Sequence, residues 1–163
     1  MLQYPDIPLR PSDLNIRLAG PDDADSIARL VRELAVYERL AHEVVSTGDD
    51  FRQALSRPGS TVEVLLAELD GRAVGFALFF QNFSTFVGRP GLYLEDLFIE
   101  PEYRRRGIGL VLFQELLAIA RGRNYGRMEW AVLDWNQPAI DFYTKKFHAR
   151  LLEEWRICRI ELV

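Results

Sequence analysis

A chain of 163 residues, 48% hydrophobic and 27% charged, suits one globular domain with a substantial core. Its net charge of −4 and pI near 5.3 exclude the broad basic face that duplex nucleic acid requires. The single cysteine, Cys158, excludes an internal disulfide, and with only His42 and His148 beside it no metal-site pattern forms. No basic start leads into an apolar stretch, and no apolar run approaches membrane-spanning length. The expectation is a cytoplasmic protein with no membrane partner.

Residues 1–13 hold three of the eight prolines and read as an extended arm. "LNIRLA" from Leu14 alternates apolar and polar, as a half-buried strand does. Pro21, Asp22 and Asp23 supply first-turn chemistry for a helix whose Ile27, Leu30, Val31 and Leu34 share one face. A shorter helix follows at Asp49–Ser56. "TVEVLLAEL" and "RAVGFALFFQNF" are strand-like runs joined by Asp70-Gly71, a strong hairpin signal. "LYLEDLFIE" is a strand stopped by Pro101. The next helix carries Ile108, Val111, Leu112, Glu115, Leu116 and Ile119 and ends near Gly122. "RMEWAVLD" predicts a strand, "NQPAIDFYTKKF" a helix capped by Asn136, and "ARLLEEWRICRIELV" one or two closing strands. This order predicts an α/β fold: one domain over residues 14–163, with a mixed central β-sheet flanked by helices.

The stretch "EYRRRGIG" then stands between a strand and a helix start. Backbone N–H groups there lack intrahelical acceptors, the macrodipole is positive, and glycine permits close approach, so the turn suits a phosphate. Three arginines in a first turn oppose the macrodipole unless an anion is bound. A Walker-type loop fails because "LVL" follows Gly109, and a dinucleotide fingerprint fails because Leu112 stands where its third glycine belongs.

"YLEDLFIEPEYRRRGIG", the amphipathic helix after it, and "AVLDWNQPAIDFY" together resemble the GNAT superfamily of acyl-CoA-dependent N-acetyltransferases. Within it they look like the diamine and spermidine/spermine acetyltransferases, including the thialysine branch, and "LVRELAVYERL" resembles their first helix. The resemblance spans Leu14 to the C-terminus. It implies acetyl-CoA as co-substrate, a small primary amine as acceptor, no metal, and a homodimer with active sites at its interface. Arg104, Gly107 and Gly109 match the pyrophosphate motif, with Arg105, Arg106 and Ile108 in the same turn. Leu97, Phe98 and Ile99 are implied to pair with the pantetheine arm, and Asn136 to contact the cofactor.

Two departures matter. Where relatives commonly carry glycine, four residues after the tyrosine, this chain has Phe147. Where polyamine enzymes often carry Asp and Trp, it has Ser84 and Phe86. The second departure leans away from spermidine and toward a thialysine-like or other small amine.

The chemistry constrains the roles. A lysine-like amine of pKa about 10.4 is neutral in roughly one molecule per few thousand at pH 7, so a proton sink is needed. Glu95 is the implied base; direct transfer to an ordinary carboxylate is uphill by about 6 units, roughly 8 kcal/mol, which favours a water relay. Strand alternation sends Asp96 to the opposite face unless the strand bulges. Backbone N–H groups at Leu97 to Ile99 are oxyanion donors if it does. Tyr143 is the implied general acid. A phenol near pKa 10 beside a thiol near 8.5 works better as a hydrogen-bond donor, the gap for full transfer being about 2 kcal/mol.

Tyr37, Glu38, Asp96 and Trp155 are candidate acceptor contacts, and Lys145 and Lys146 candidate phosphate contacts. Two other readings remain at this stage. One is acetylation of protein N-termini or lysines; the other is an acyl-CoA sensor without turnover.

Overall fold

A computed structural model describes residues 13–162. All but the last residue of the expected arm lies outside that range. The described residues group into two compact units, 13–131 and 132–162, and each is described by itself.

The larger unit is built on five strands in the order β1-β2-β3-β4-β5: Leu14–Leu18, Glu63–Leu69, Arg72–Ser84, Arg89–Ile99 and Met128–Trp130. The first four pair antiparallel and β5 joins β4 in parallel, so the sheet is mixed as predicted. Leu69 pairs with Arg72 across the Asp70-Gly71 turn. Both turn residues take positive φ, 50° and 75°, the left-handed values that make Asp-Gly an effective two-residue hairpin.

Helix α1 (Ala24–Glu38) follows a 3₁₀ turn at Pro21–Asp23, whose Asp23 carboxylate accepts from the Gly20 N–H at 2.8 Å. Its Ile27, Leu30 and Leu34 are buried against Val64, Leu66, Phe76, Leu78 and Phe98. Each such side chain contributes about 1.5–3 kcal/mol through its burial. Helix α2 (Gly48–Ser56) starts one residue before the expected point, under a capping box from Thr47 and Asp50. Residues Ala73–Phe79 of β3 are buried without a break, which requires cover on both faces. Helix α3 (Ile108–Gly122) buries Ile108, Val111, Leu112, Phe113 and Leu116. Phe113 meets Trp130 of β5 edge to face at 5.2 Å. Among the described residues no helix is long and apolar enough to cross a membrane.

In the smaller unit, α4 (Gln137–Asp141) continues into a π-helical turn at Phe142–Lys146. Asn136 caps α4, its side chain accepting from the Ala139 N–H at 3.3 Å.

Two expectations need correction. The strand read over "RMEWAVLD" is confined to three residues, Met128–Trp130. The closing strands do not form: no ladder involves residues 149–162. Strand propensity acts only where a neighbour completes the hydrogen-bond ladder and covers a face. Without one, Trp155, Ile157, Ile160 and Leu162 stay 67–90% exposed.

Candidate active site

The β3–β4 ladder breaks register at one point. Leu78 pairs with Asp96 and Phe79 with Leu94, so Glu95 is an extra residue with no partner. That is a β-bulge, and it redirects consecutive side chains that a regular strand would send to opposite faces. Glu95 is exposed and Asp96 half-buried. Burial pushes Asp96 up to about 7, aided by the nearby charges of Glu95 and Glu38. Burial also raises Glu38, at the C-terminal end of α1. Three carboxylates from two elements thus share one region, with the Tyr93 phenol raised by burial and then by Glu95 and Glu129.

The β4–β5 ladder runs only from Leu92↔Met128 to Leu94↔Trp130. It therefore ends where the bulge begins. On that side Glu95–Ile99 has no ladder partner among the described residues, so the N–H groups that face it are open to an extended ligand, while the Ile99 carbonyl is taken by Arg104. Phe98 and Ile99 have buried side chains and Leu97 is half-buried, so a ligand on this edge would meet mainly the backbone that faces it.

The arginine-rich turn divides by residue. Arg104 folds back: its Nε donates to the Ile99 carbonyl at 2.9 Å, and its guanidinium lies 4.4 Å from the Tyr37 ring centre and 5.4 Å from that of Phe98. It ties the end of α1 to β4. Arg105 and Arg106 are exposed at the rim. Gly107 caps α3 at φ 80°, where a side chain would be strained. Ile108 is buried, so its side chain anchors the helix start while its backbone opens the first turn. The first-turn N–H groups, Gly109 included, lack intrahelical acceptors. An anion of phosphate type fits this donor set.

In the smaller unit Tyr143 is buried within the π-turn, 5.3 Å from the Phe142 ring, and its carbonyl accepts from Phe147 and Ala149. Lys145 pairs with Asp141 at 2.7 Å. Trp155 is 67% exposed. Ser84, the last residue of β3, is buried and caps the turn that follows, its hydroxyl accepting from the Val87 N–H at 3.2 Å, while Phe86 is exposed. Sequence reasoning missed the contacts that join Arg29, Arg72, Glu100 and Tyr103. Their contacts join residues far apart in the chain, so no local pattern announced them.

A mixed sheet whose bulged strand parts from a parallel neighbour, and then feeds a glycine turn and a helix, defines an acetyltransferase of the GNAT type. The chain matches the acetyltransferase (GNAT) family over residues 27–149 and belongs to it; it is an N-acetyltransferase. It is 33% identical to L-ornithine N5-acetyltransferase of Arabidopsis thaliana, over 89% of this chain and 83% of that protein. It is 34% identical to thialysine N-epsilon-acetyltransferase of Caenorhabditis elegans, over 86% of this chain and 88% of that one. Among solved structures, an integron cassette protein of V. cholerae superposes with a TM-score of 0.75 at 26% identity, covering 93% of this chain and 94% of that one.

Proposed function

We propose that this chain moves the acetyl group of acetyl-CoA onto a primary amine of a small cationic acceptor of the ornithine, thialysine or diamine kind. The bulge at Glu95 carries this reading, because it brings Glu95 and Asp96 together beside Glu38 on the strand that leads into the phosphate-type turn. Relatives named for ornithine and thialysine support it. A cationic acceptor also suits the chain's net charge of −4.

Acetyl-CoA supplies the acetyl group as an activated thioester. In this proposal the turn's backbone donors hold its pyrophosphate, with Arg105 and Arg106 adding charge, and the unpaired edge at Leu97 to Ile99 lies along its arm. The protein's harder task is to take a proton from an ammonium. Asp96, at about 7, narrows the uphill transfer from about 6 units to about 3, roughly 5 kcal/mol. Asp96 therefore joins Glu95: the half-buried carboxylate faces the ammonium, and the exposed one passes the proton to solvent through water. Glu38 and Tyr37 complete the acceptor side. Tyr143 donates a hydrogen bond to the departing thiolate, and Asn136 keeps the helix start that carries it.

The same reading makes the protein a cytoplasmic homodimer. The deciding measurement is thiol release from acetyl-CoA across ornithine, thialysine, lysine, diamines, polyamines and peptides. Saturable release with a small diamine or basic amino acid is expected. Turnover with peptides alone would give the function to a protein substrate, and thermal stabilisation by acetyl-CoA without release from any acceptor would make the chain a sensor.

A further inference from the structure

Glu100, the last residue before the turn, is the charged side chain buried most completely among the described residues, at 1% exposure. Its Oε1 accepts from Arg29 of α1 and, at 2.7 Å, from Arg72 of β3. Its Oε2 is buried and has no hydrogen-bond partner. Arg29 is held in turn by the Ala73 carbonyl at 2.6 Å and by Glu33 at 3.0 Å. The contacts continue outward. Arg72 donates to the Tyr103 hydroxyl at 3.1 Å and lies 5.7 Å from that ring's centre. The Arg106 guanidinium lies 5.2 Å from the same ring centre and donates to the Glu102 carbonyl at 3.1 Å. Arg106 is the residue immediately before Gly107.

A buried carboxylate between two arginines is weak evidence for stability, since a well-packed apolar residue would often serve as well or better. What it adds is position: two cations from different elements are fixed to one oxygen. The backbone fixes the same corner, with the Glu100 N–H on the Val74 carbonyl at 3.0 Å and the Tyr103 N–H on the Glu100 carbonyl at 2.9 Å.

We propose that Glu100 is a positioning residue for the acyl-CoA turn: through Arg72 and Tyr103 it sets Arg106 and the first turn of α3 in the arrangement that grips a pyrophosphate. This rests on the turn being the acetyl-CoA site. The sign of the effect separates positioning from simple charge. Removing a carboxylate near a diphosphate strengthens binding by Coulomb's law alone, whereas loosening the turn weakens it.

The test is CoA binding by calorimetry, together with steady-state kinetics, on Glu100→Gln, Tyr103→Leu and the double variant. The CoA dissociation constant and the KM for acetyl-CoA should each rise about tenfold in either single variant. The amine KM and the kcat at saturating acetyl-CoA should stay within about twofold, and the double variant should add little, as for residues in one network. A loss of fold would lower the active fraction without moving KM. Unchanged or tighter CoA binding in a folded Glu100→Gln overturns the inference. If that variant does not fold, Tyr103→Leu, which leaves the carboxylate and both arginines in place, decides: unchanged CoA affinity overturns it. A wild-type protein that fails to bind CoA overturns the proposed function and this inference with it.

Discussion

Asp96 shows how one residue's surroundings change its chemistry. A carboxylate whose folded value is raised holds its proton more tightly in the folded protein than in the unfolded chain. Its effect on stability therefore runs downward as pH rises from the ordinary carboxylate range to about 7, and is flat above. Asp23, Glu68 and Asp50, held low by hydrogen bonds, act in the opposite direction only below that range. In thermal melts from pH 5 to 8, Asp96→Asn should become more stable relative to wild type as pH rises. An unchanged difference across that window would show that Asp96 does not titrate there. The same ionisation should lower the amine KM as pH passes through about 7 in the wild type but not in Asp96→Asn. Tyr143→Phe keeps the ring and removes the donor. It should cost about a hundredfold in kcat in a protein that still folds; full turnover would remove the hydroxyl from the mechanism.

At the scale of elements, the bulge in β4 and the π-turn after α4 both insert one residue into a regular ladder, and both sit at candidate catalytic positions. The π-turn also accounts for Phe147. Its φ of −115° requires no glycine, and its buried ring packs edge to face on Phe142 at 5.2 Å. The left-handed conformation falls one residue later, on exposed His148 at φ 55°. His148→Gly should therefore stabilise the protein by about 1 kcal/mol, read from denaturant midpoints. Destabilisation would mean that the His148 side chain makes a contact worth more than the strain.

For the whole molecule, charge is divided rather than balanced. One acidic region draws on Glu38, Glu95 and Asp96, while the turn carries Arg105 and Arg106 at its rim. In the proposed function both substrates are recruited by opposite charge. Raising ionic strength from about 0.01 to 0.15 M, which shortens the screening length from about 30 to 8 Å, should raise both KM values. A KM for the amine that ignores salt would argue against the acidic region as its entry point.

The sequence by itself determined the element order as far as the last helix, the Asp-Gly hairpin, the helix faces and the glycine turn, because each depends on residues close together in the chain. Tertiary structure decided what depends on pairing and burial. Glu95 and Asp96 come to one region only because the register with β3 shifts at Glu95, and Asp96 is raised to about 7 only because folding dehydrates it beside two other carboxylates. Arg104 turns back onto Tyr37, and Glu100 gathers Arg29 and Arg72 from positions 71 and 28 residues away in the chain. The alternating C-terminal segment looked like strands, yet alternation names only the face a strand would bury; a strand also requires a laddered neighbour, which that segment does not have.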